Sequence, residues 1–219
     1  MKGITPATEE VFKKISVLPF LRDYTLVGGT ALSLQIGHRL SEDLDFCIWA
    51  KSLRNKRVAE VDWPSIRHEL EGIGQLQKMD ILGFDQVNFL LDGVKISFFA
   101  KGLNRSPVGK TIPSLNHISL AGIGSIGIMK VELLMRRREW KDYYDIYSIL
   151  KEGVSLKKLV DGARVYSNNL LKTRDALSFL SDSSNYRKNR SFSLLDPVYN
   201  VTGKEIEEYI VSRILEEYR

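Results

Sequence analysis

The chain has 219 residues, 43% of them hydrophobic and 27% charged, with a formal net charge of +5 at neutral pH. This composition suits a folded globular protein of one or two domains and excludes disordered and fibrous classes. No apolar run approaches the roughly 20 residues of a membrane span, and the opening MKGITPATEEVFKK has acids in place of a secretion signal's apolar stretch, so the expected compartment is the cytosol, with no membrane partner.

Along the chain, Val11, Phe12, Ile15, Leu18 and Leu21 recur at near-helical spacing, which predicts an amphipathic helix over 7–22 with Pro19 close to its end. Tyr24 to Val27 reads as a short buried strand broken by Gly28-Gly29. Thr30 is placed to cap a helix running to Gly37. Leu44 to Trp49 has strand character, LRNKR reads as an exposed loop, and Pro64 to Gly72 as a helix with proline in its first turn. QVNFLL and VKISFFA flank Asp92-Gly93, a strong hairpin signal that implies a sheet of mixed direction. From Leu120 onward MKVELLMRRREW, KDYYDIYSILKEG, LKKLVDGARVYSNNLL and GKEIEEYIVSRILEEYR read as helices. The expected architecture is α/β (α+β): a small mixed-sheet lobe over residues 1–110, then an all-helical lobe over 111–219, with the active site in the cleft between them.

Gly28-Gly29 at a strand-to-helix turn permits close approach of an anion to backbone N–H groups, and the helix adds its positive end. Sixteen residues after Gly29, Asp45 stands one residue beyond Asp43 and Leu44. Strand alternation puts Asp43 and Asp45 on one face while Leu44 and Phe46 enter the core. Two such carboxylates repel unless a cation or basic groups neutralise them, and an all-oxygen pair suits magnesium together with substrate phosphates. A phosphate cradle and a metal-binding acid pair are the two halves of a nucleoside-triphosphate site.

GGTAL, GHR, SEDLDF and the later K-x(11)-D-x-x-D resemble the AbiEii/AbiGii toxin family of the nucleotidyltransferase superfamily, over roughly residues 8–155. The resemblance implies a minimal nucleotidyltransferase lobe and a helical lobe acting as the toxin of a toxin–antitoxin pair, often tied to phage defence, with a cognate antitoxin partner. It also implies transfer from a nucleoside triphosphate with Mg2+, transfer RNA being the favoured acceptor and a protein hydroxyl a second. Carried over by position, Gly28, Gly29 and Thr30 would hold the triphosphate, Asp43 and Asp45 would bind magnesium, and Lys130 with Asp142 would complete the catalytic set. Asp145 fits the same helix motif as Asp142.

Each residue also has a plainer use. Arg39 is the better substrate ligand of the His38-Arg39 pair, since a positive charge at a helix C-terminus already accounts for one of them. Lys130 is either a phosphate ligand or a solvated helix lysine, and Asp142 and Asp145 either site groups or partners of Lys141 and of Arg136 to Arg138. Many nucleotidyltransferases carry a third acid on a neighbouring strand, yet Lys95, Ser97 and Phe99 offer none. A catalytically silent binding module and a γ-phosphotransferase therefore stay open as rivals. Gly122, Gly124 and Gly127 match GxGxxG, but Asp142 lies in a helical DYYDIY, which rejects a dinucleotide fold. Cys47, the single cysteine, reads as core. A pI near 9.2 and basic clusters at Lys51/Arg54/Lys56/Arg57, Arg136/Arg137/Arg138 and Arg187/Lys188/Arg190 point to an anionic partner such as RNA, or to solvated faces. Tyr143, Tyr144 and Tyr147 are assigned to the core rather than to base stacking.

Overall fold

The computed structural model describes residues 1–49, 60–102, 106–182, 184, 186 and 190–219. The LRNKR loop lies outside the described residues. So does the first basic cluster, together with Arg187 and Lys188. The chain divides into two compact units, Met1–Gly122 and Ile123–Arg219.

In the first unit, α1 (Pro6–Ile15) is capped by Thr5, whose side chain accepts from the Thr8 N–H, and buries Val11, Phe12 and Ile15. The helix stops short of residue 22. Leu18, preceding Pro19, is pushed into extended backbone, and Pro19 starts a 3-10 turn (Pro19–Asp23) instead of ending the first helix. There follow β1 (Thr25–Val27), α2 (Gly28–Ile36), β2 (Leu44–Trp49) and α3 (Trp63–Glu71). After these come β3 (Leu76–Gly83), β4 (Gln86–Leu91), β5 (Val94–Lys101), β6 (Ile112–Pro113) and β7 (Ser119–Leu120). Gly37 closes α2 in the left-handed conformation, and Asp92 and Gly93 both take positive φ in the β4–β5 hairpin.

Among the described residues the strands form one sheet in the order β3-β4-β5-β2-β1-β7-β6. β1 runs antiparallel to β2 and parallel to β7, and β2 runs parallel to β5. Register assigns the two faces. Leu44 aligns with Ile96 and Phe89, and Phe46 with Phe98 and Val87. All six are fully buried, and the Phe46 and Phe98 rings stack with centroids 5.4 Å apart. The opposite face carries Val27, Asp45, Ser97, Asn88 and Asp80 in one continuous row across β1, β2, β5, β4 and β3. One face is therefore apolar and the other carries a largely polar row. The sequence reading overlooked β3, β6 and β7, since β3 alternates poorly and contains two register shifts.

The second unit contains α4 (Ile123–Leu133), α5 (Trp140–Lys151), α6 (Leu156–Tyr166), α7 (Thr173–Leu180), a 3-10 turn (Arg190–Leu195) and α8 (Gly203–Glu217). α7 was not expected, and α4 ends before the arginine cluster, so Arg136 to Arg138 sit in the α4–α5 connection. Gly124 and Gly127 lie inside α4, and a Cβ at Gly127 would come within 2.7 Å of Leu159 on α6. Of the GxGxxG run, Gly127 thus serves helix packing, whereas a Cβ at Gly122 or Gly124 would meet nothing within 4 Å. α5 is buried from Asp142 through Leu150. Tyr143 donates to the Phe179 carbonyl and Tyr144 accepts from the Tyr199 N–H, which confirms both as core. No helix among the described residues is long and apolar enough to cross a membrane.

The carboxylate of Glu217 caps α6. It accepts from Ser155 Oγ at 2.5 Å and from the Leu156 and Lys157 N–H groups at 3.1 and 2.9 Å, and pairs with Arg213 at 2.7 Å. Burial works against its charge, but these hydrogen bonds and the Arg213 charge outweigh it and hold the carboxyl below the ordinary glutamate range. A depressed folded pKa contributes stability above the unfolded value that is lost as pH falls through the folded one. Glu217→Ala is expected to cost about 1 kcal/mol at neutral pH. The gap from the wild type should close on acidification below about pH 4, as read by thermal denaturation at both pH values.

Candidate active site

The turn from β1 into α2 depends on glycine for two reasons. Gly28 has φ +71, and a Cβ there would lie 2.7 Å from Asp45 Oδ2. Residue 28 thus needs both a left-handed backbone and an empty side-chain position, because the Asp45 carboxylate occupies the adjoining space. A Cβ at Gly29 would collide with Arg39 Nη2 and come 3.3 Å from Ser41 Oγ. Sequence reasoning assigned the glycines to an approaching anion. The structure adds that the side of the turn where a Cβ would project is packed by Asp45 and Arg39.

Thr30 does not cap α2, since Val27 holds the N-cap position without a side-chain bond. Its buried hydroxyl donates to the Asp43 carbonyl and lies 2.9 Å from Ser41 Oγ, whose hydroxyl can donate to it. This ties the first turn of α2 to the segment entering β2. The Thr8 hydroxyl donates to the Glu42 carbonyl at 3.0 Å, and Ser41 exchanges backbone hydrogen bonds with Gly3 and Thr5. The approach to Asp43 and Asp45 is therefore braced from two sides. Thr30 contributes position, and its backbone N–H belongs to the first turn, whose N–H groups have no partner within the helix.

Asp43 and Asp45 are both half-buried, with Leu44 and Phe46 fully buried between and beyond them. Asp45 aligns with Val27 on one side and with the buried Ser97 on the other. Arg39, 5% exposed, donates from Nη1 to the Leu40 carbonyl at 2.8 Å. Gly28, Gly29, Arg39 and Asp45 thus converge on one turn. Among the described residues no three His, Cys, Asp or Glu side chains gather as a metal cluster. Asp45 brings one carboxylate to the turn, and Asp43, the residue before β2, is the second carboxylate of the segment; such hard oxygen donors suit a divalent cation completed by phosphates and water. Cys47, on the same face of β2 as Asp45, is buried, and burial pushes its thiol up to about 12, which makes it inert.

The remaining expected site residues gather in the second unit. Lys130 Nζ lies 2.8 Å from Asp142 Oδ1 and 2.7 Å from Asp145 Oδ2, and Arg137 Nε lies 3.1 Å from Asp142 Oδ2. Both aspartates are fully buried and Lys130 is 6% exposed. Burial alone would raise the Asp142 pKa, but the charges of Lys130 and Arg137 hold it below the ordinary range. The solvated-lysine alternative fails here. So does the Lys141–Asp145 pair, because Lys141 turns to Glu139. The arginine cluster is similarly committed: Arg136 binds Glu132, Arg137 binds Asp142, and Arg138 stacks on Phe179 at 4.0 Å.

A family model described as "Nucleotidyl transferase AbiEii toxin, Type IV TA system" matches residues 11–174. The chain belongs to this family. As an AbiEii protein it is a nucleotidyltransferase, which implies a nucleoside-triphosphate donor, and a toxin-antitoxin component, which implies an antitoxin partner. It is 31% identical over 163 residues to "Uncharacterized protein aq_aa25" of Aquifex aeolicus (strain VF5), covering 73% of each chain. JHP933 from Helicobacter pylori, a crystal structure, is similar at 17% identity and a TM-score of 0.45, over 96% of this chain and 93% of that one.

Two variants probe the candidate site. Gly28→Ala is expected to displace the Asp45 carboxylate and cost about 1–3 kcal/mol of backbone strain, with nucleotide transfer falling further than stability explains. Lys130→Ala leaves two buried carboxylates short of their main cation and is expected to cost about 3–5 kcal/mol, read by urea denaturation.

Proposed function

We propose that this toxin transfers a nucleoside monophosphate from a triphosphate to RNA in a Mg2+-dependent reaction in the cytoplasm, with transfer RNA as the favoured acceptor. The observation that carries this reading is the contact geometry of Gly28 and Asp45, which puts a helix N-terminus and a carboxylate of the acid pair at one turn. N–H groups at Gly28 and Gly29 and the Arg39 guanidinium receive the triphosphate, and Asp43 and Asp45 hold the metal. Bound magnesium would neutralise phosphate charge and polarise the phosphoryl oxygens. The acceptor oxygen bonds to the α-phosphorus as the bond to the bridging oxygen breaks, and pyrophosphate leaves. Lys130, Asp142 and Asp145, already joined to one another, act by holding the helical unit together. The net charge of +5 favours a polyanionic acceptor.

The uncharged Ser97 beside Asp45 favours one other reading, a silent module that binds without transferring. Purified protein incubated with α-labelled and γ-labelled triphosphates and total RNA separates the cases. Label entering RNA from the α position alone, abolished by chelator, is the expected result. Label from the γ position would make the enzyme a phosphotransferase, and no label would favour the silent module. Asp45→Ala is expected to lose at least about 10²-fold in transfer while its far-ultraviolet circular dichroism stays that of the wild type.

A further inference from the structure

The two acids are held by different means. Asp45 lies inside β2, aligned with Val27 on β1 and with Ser97 on β5, so the sheet restrains its backbone from both sides. Asp43 precedes the strand. The pairing of β2 with β5 starts at Leu44, and its pairing with β1 reaches only to Asp45, so no ladder pair among the described residues includes Asp43. Threonines hold its two flanking peptide groups instead. The Thr8 hydroxyl on α1 donates to the Glu42 carbonyl at 3.0 Å, and the Thr30 hydroxyl on α2 donates to the Asp43 carbonyl. A peptide unit is planar, so restraining the plane before a residue and the plane after it restrains both torsions at its Cα. The direction in which the Asp43 side chain leaves the backbone follows from them.

The two threonines are themselves supported alike. A hydroxyl carries one proton. With the Thr8 proton on Glu42, the Thr5 hydroxyl, 2.9 Å away, is the donor to Thr8 Oγ1, while Thr5 Oγ1 accepts from the Thr8 N–H at 3.3 Å. With the Thr30 proton on Asp43, the Ser41 hydroxyl, at 2.9 Å, is the donor to Thr30 Oγ1. Two relays of the same polarity therefore end on the carbonyls either side of one aspartate Cα. Thr8 and Thr30 are each 1% exposed, so water does not compete for either proton. We propose that Thr8 is a positioning residue of the transfer site, which acts through the Glu42 carbonyl to aim the Asp43 carboxylate at the divalent cation that Asp45 also receives. Thr8 itself touches neither cation nor triphosphate. Small displacements matter because metal ligands work only when held to about 0.5 Å, and magnesium demands near-ideal geometry. Helix α1 thereby serves the site as well as the core.

This inference rests on the proposed metal role of the acid pair, and its test separates the two. Mn2+ is the probe, its binding read by electron paramagnetic resonance with a non-hydrolysable triphosphate present. Transfer is measured in parallel with α-labelled triphosphate and total RNA. Thr8→Val keeps the size of the side chain and removes the hydroxyl. It is expected to weaken Mn2+ binding about tenfold, the equivalent of one hydrogen bond, with metal-free triphosphate affinity and circular dichroism unchanged. Thr8→Ser should bind Mn2+ as the wild type does. In an Asp43→Ala background, Thr8→Val should weaken Mn2+ binding no further, because a residue that acts through a carboxylate has no effect once the carboxylate is gone. Thr8→Ala removes the same donor without setting a methyl group against the Glu42 carbonyl, and takes the place of Thr8→Val if that variant does not fold. Undiminished Mn2+ affinity in the variants lacking the hydroxyl would overturn the assignment. So would a loss that persists in the Asp43→Ala background, since Thr8 would then support the fold at large. Asp43→Ala binding Mn2+ as tightly as the wild type would defeat the metal reading and the assignment with it. Coupling of Thr8 to Asp43 in Mn2+ binding, with no RNA labelled, would defeat the transfer reading and leave the assignment standing.

Discussion

The Asp45 carboxylate lies where a side chain on residue 28 would project, and much of the first unit follows from that one exclusion. It forces glycine at the end of β1 and fixes where α2 begins. It also sets the register by which Val27 faces Asp45. Thr30, Ser41 and Thr8 then hold the segment entering β2 so that the carboxylate cannot drift from the turn. Catalysis by charge stabilisation relies on groups that need no rearrangement, so in the function proposed for this turn rigidity at the contact serves the reaction as well as the fold.

A different logic governs the helical unit. Its centre is ionic: a nearly buried lysine between two fully buried aspartates on α5, with an arginine reaching in from the preceding connection. Such a cluster adds little net stability over an apolar core, but it is unforgiving, because removal of one member strands the others in a low dielectric. The same three side chains that resemble catalytic groups in the sequence are therefore the ones whose mutation will most readily be misread. A loss of activity at Lys130 or Asp142 cannot be assigned to chemistry until folding has been measured.

Much of this was legible in the sequence. The strand Leu44–Trp49, the Asp92-Gly93 hairpin and the glycine turn announce themselves through alternation and turn chemistry, and local physics dictates them. What escaped notice depends on distant partners. β3 and β7 become strands only because β4 and β1 offer them hydrogen bonds, and neither LQKMDILG nor Ser119–Leu120 carries a strong pattern of its own. Arg39 reads as a substrate ligand from its motif, and its packing against Gly29 shows only once the chain has returned after Gly37. Lys130, twelve residues before Asp142, gave no sign of being buried, since a lysine on a helix face looks the same whether its head meets water or two carboxylates.

The pairing of β1 has one more consequence, which concerns the order in which the protein is made. The strand leading into the glycine turn is three residues long and is flanked by β2 and by β7, the last strand of the sheet to be synthesised. Until Ser119 and Leu120 have cleared the ribosome, the turn is supported on one side only, and a three-residue strand with one neighbour is poorly held. A nascent chain of this toxin would thus carry its acid pair on β2 well before the turn opposite is secured.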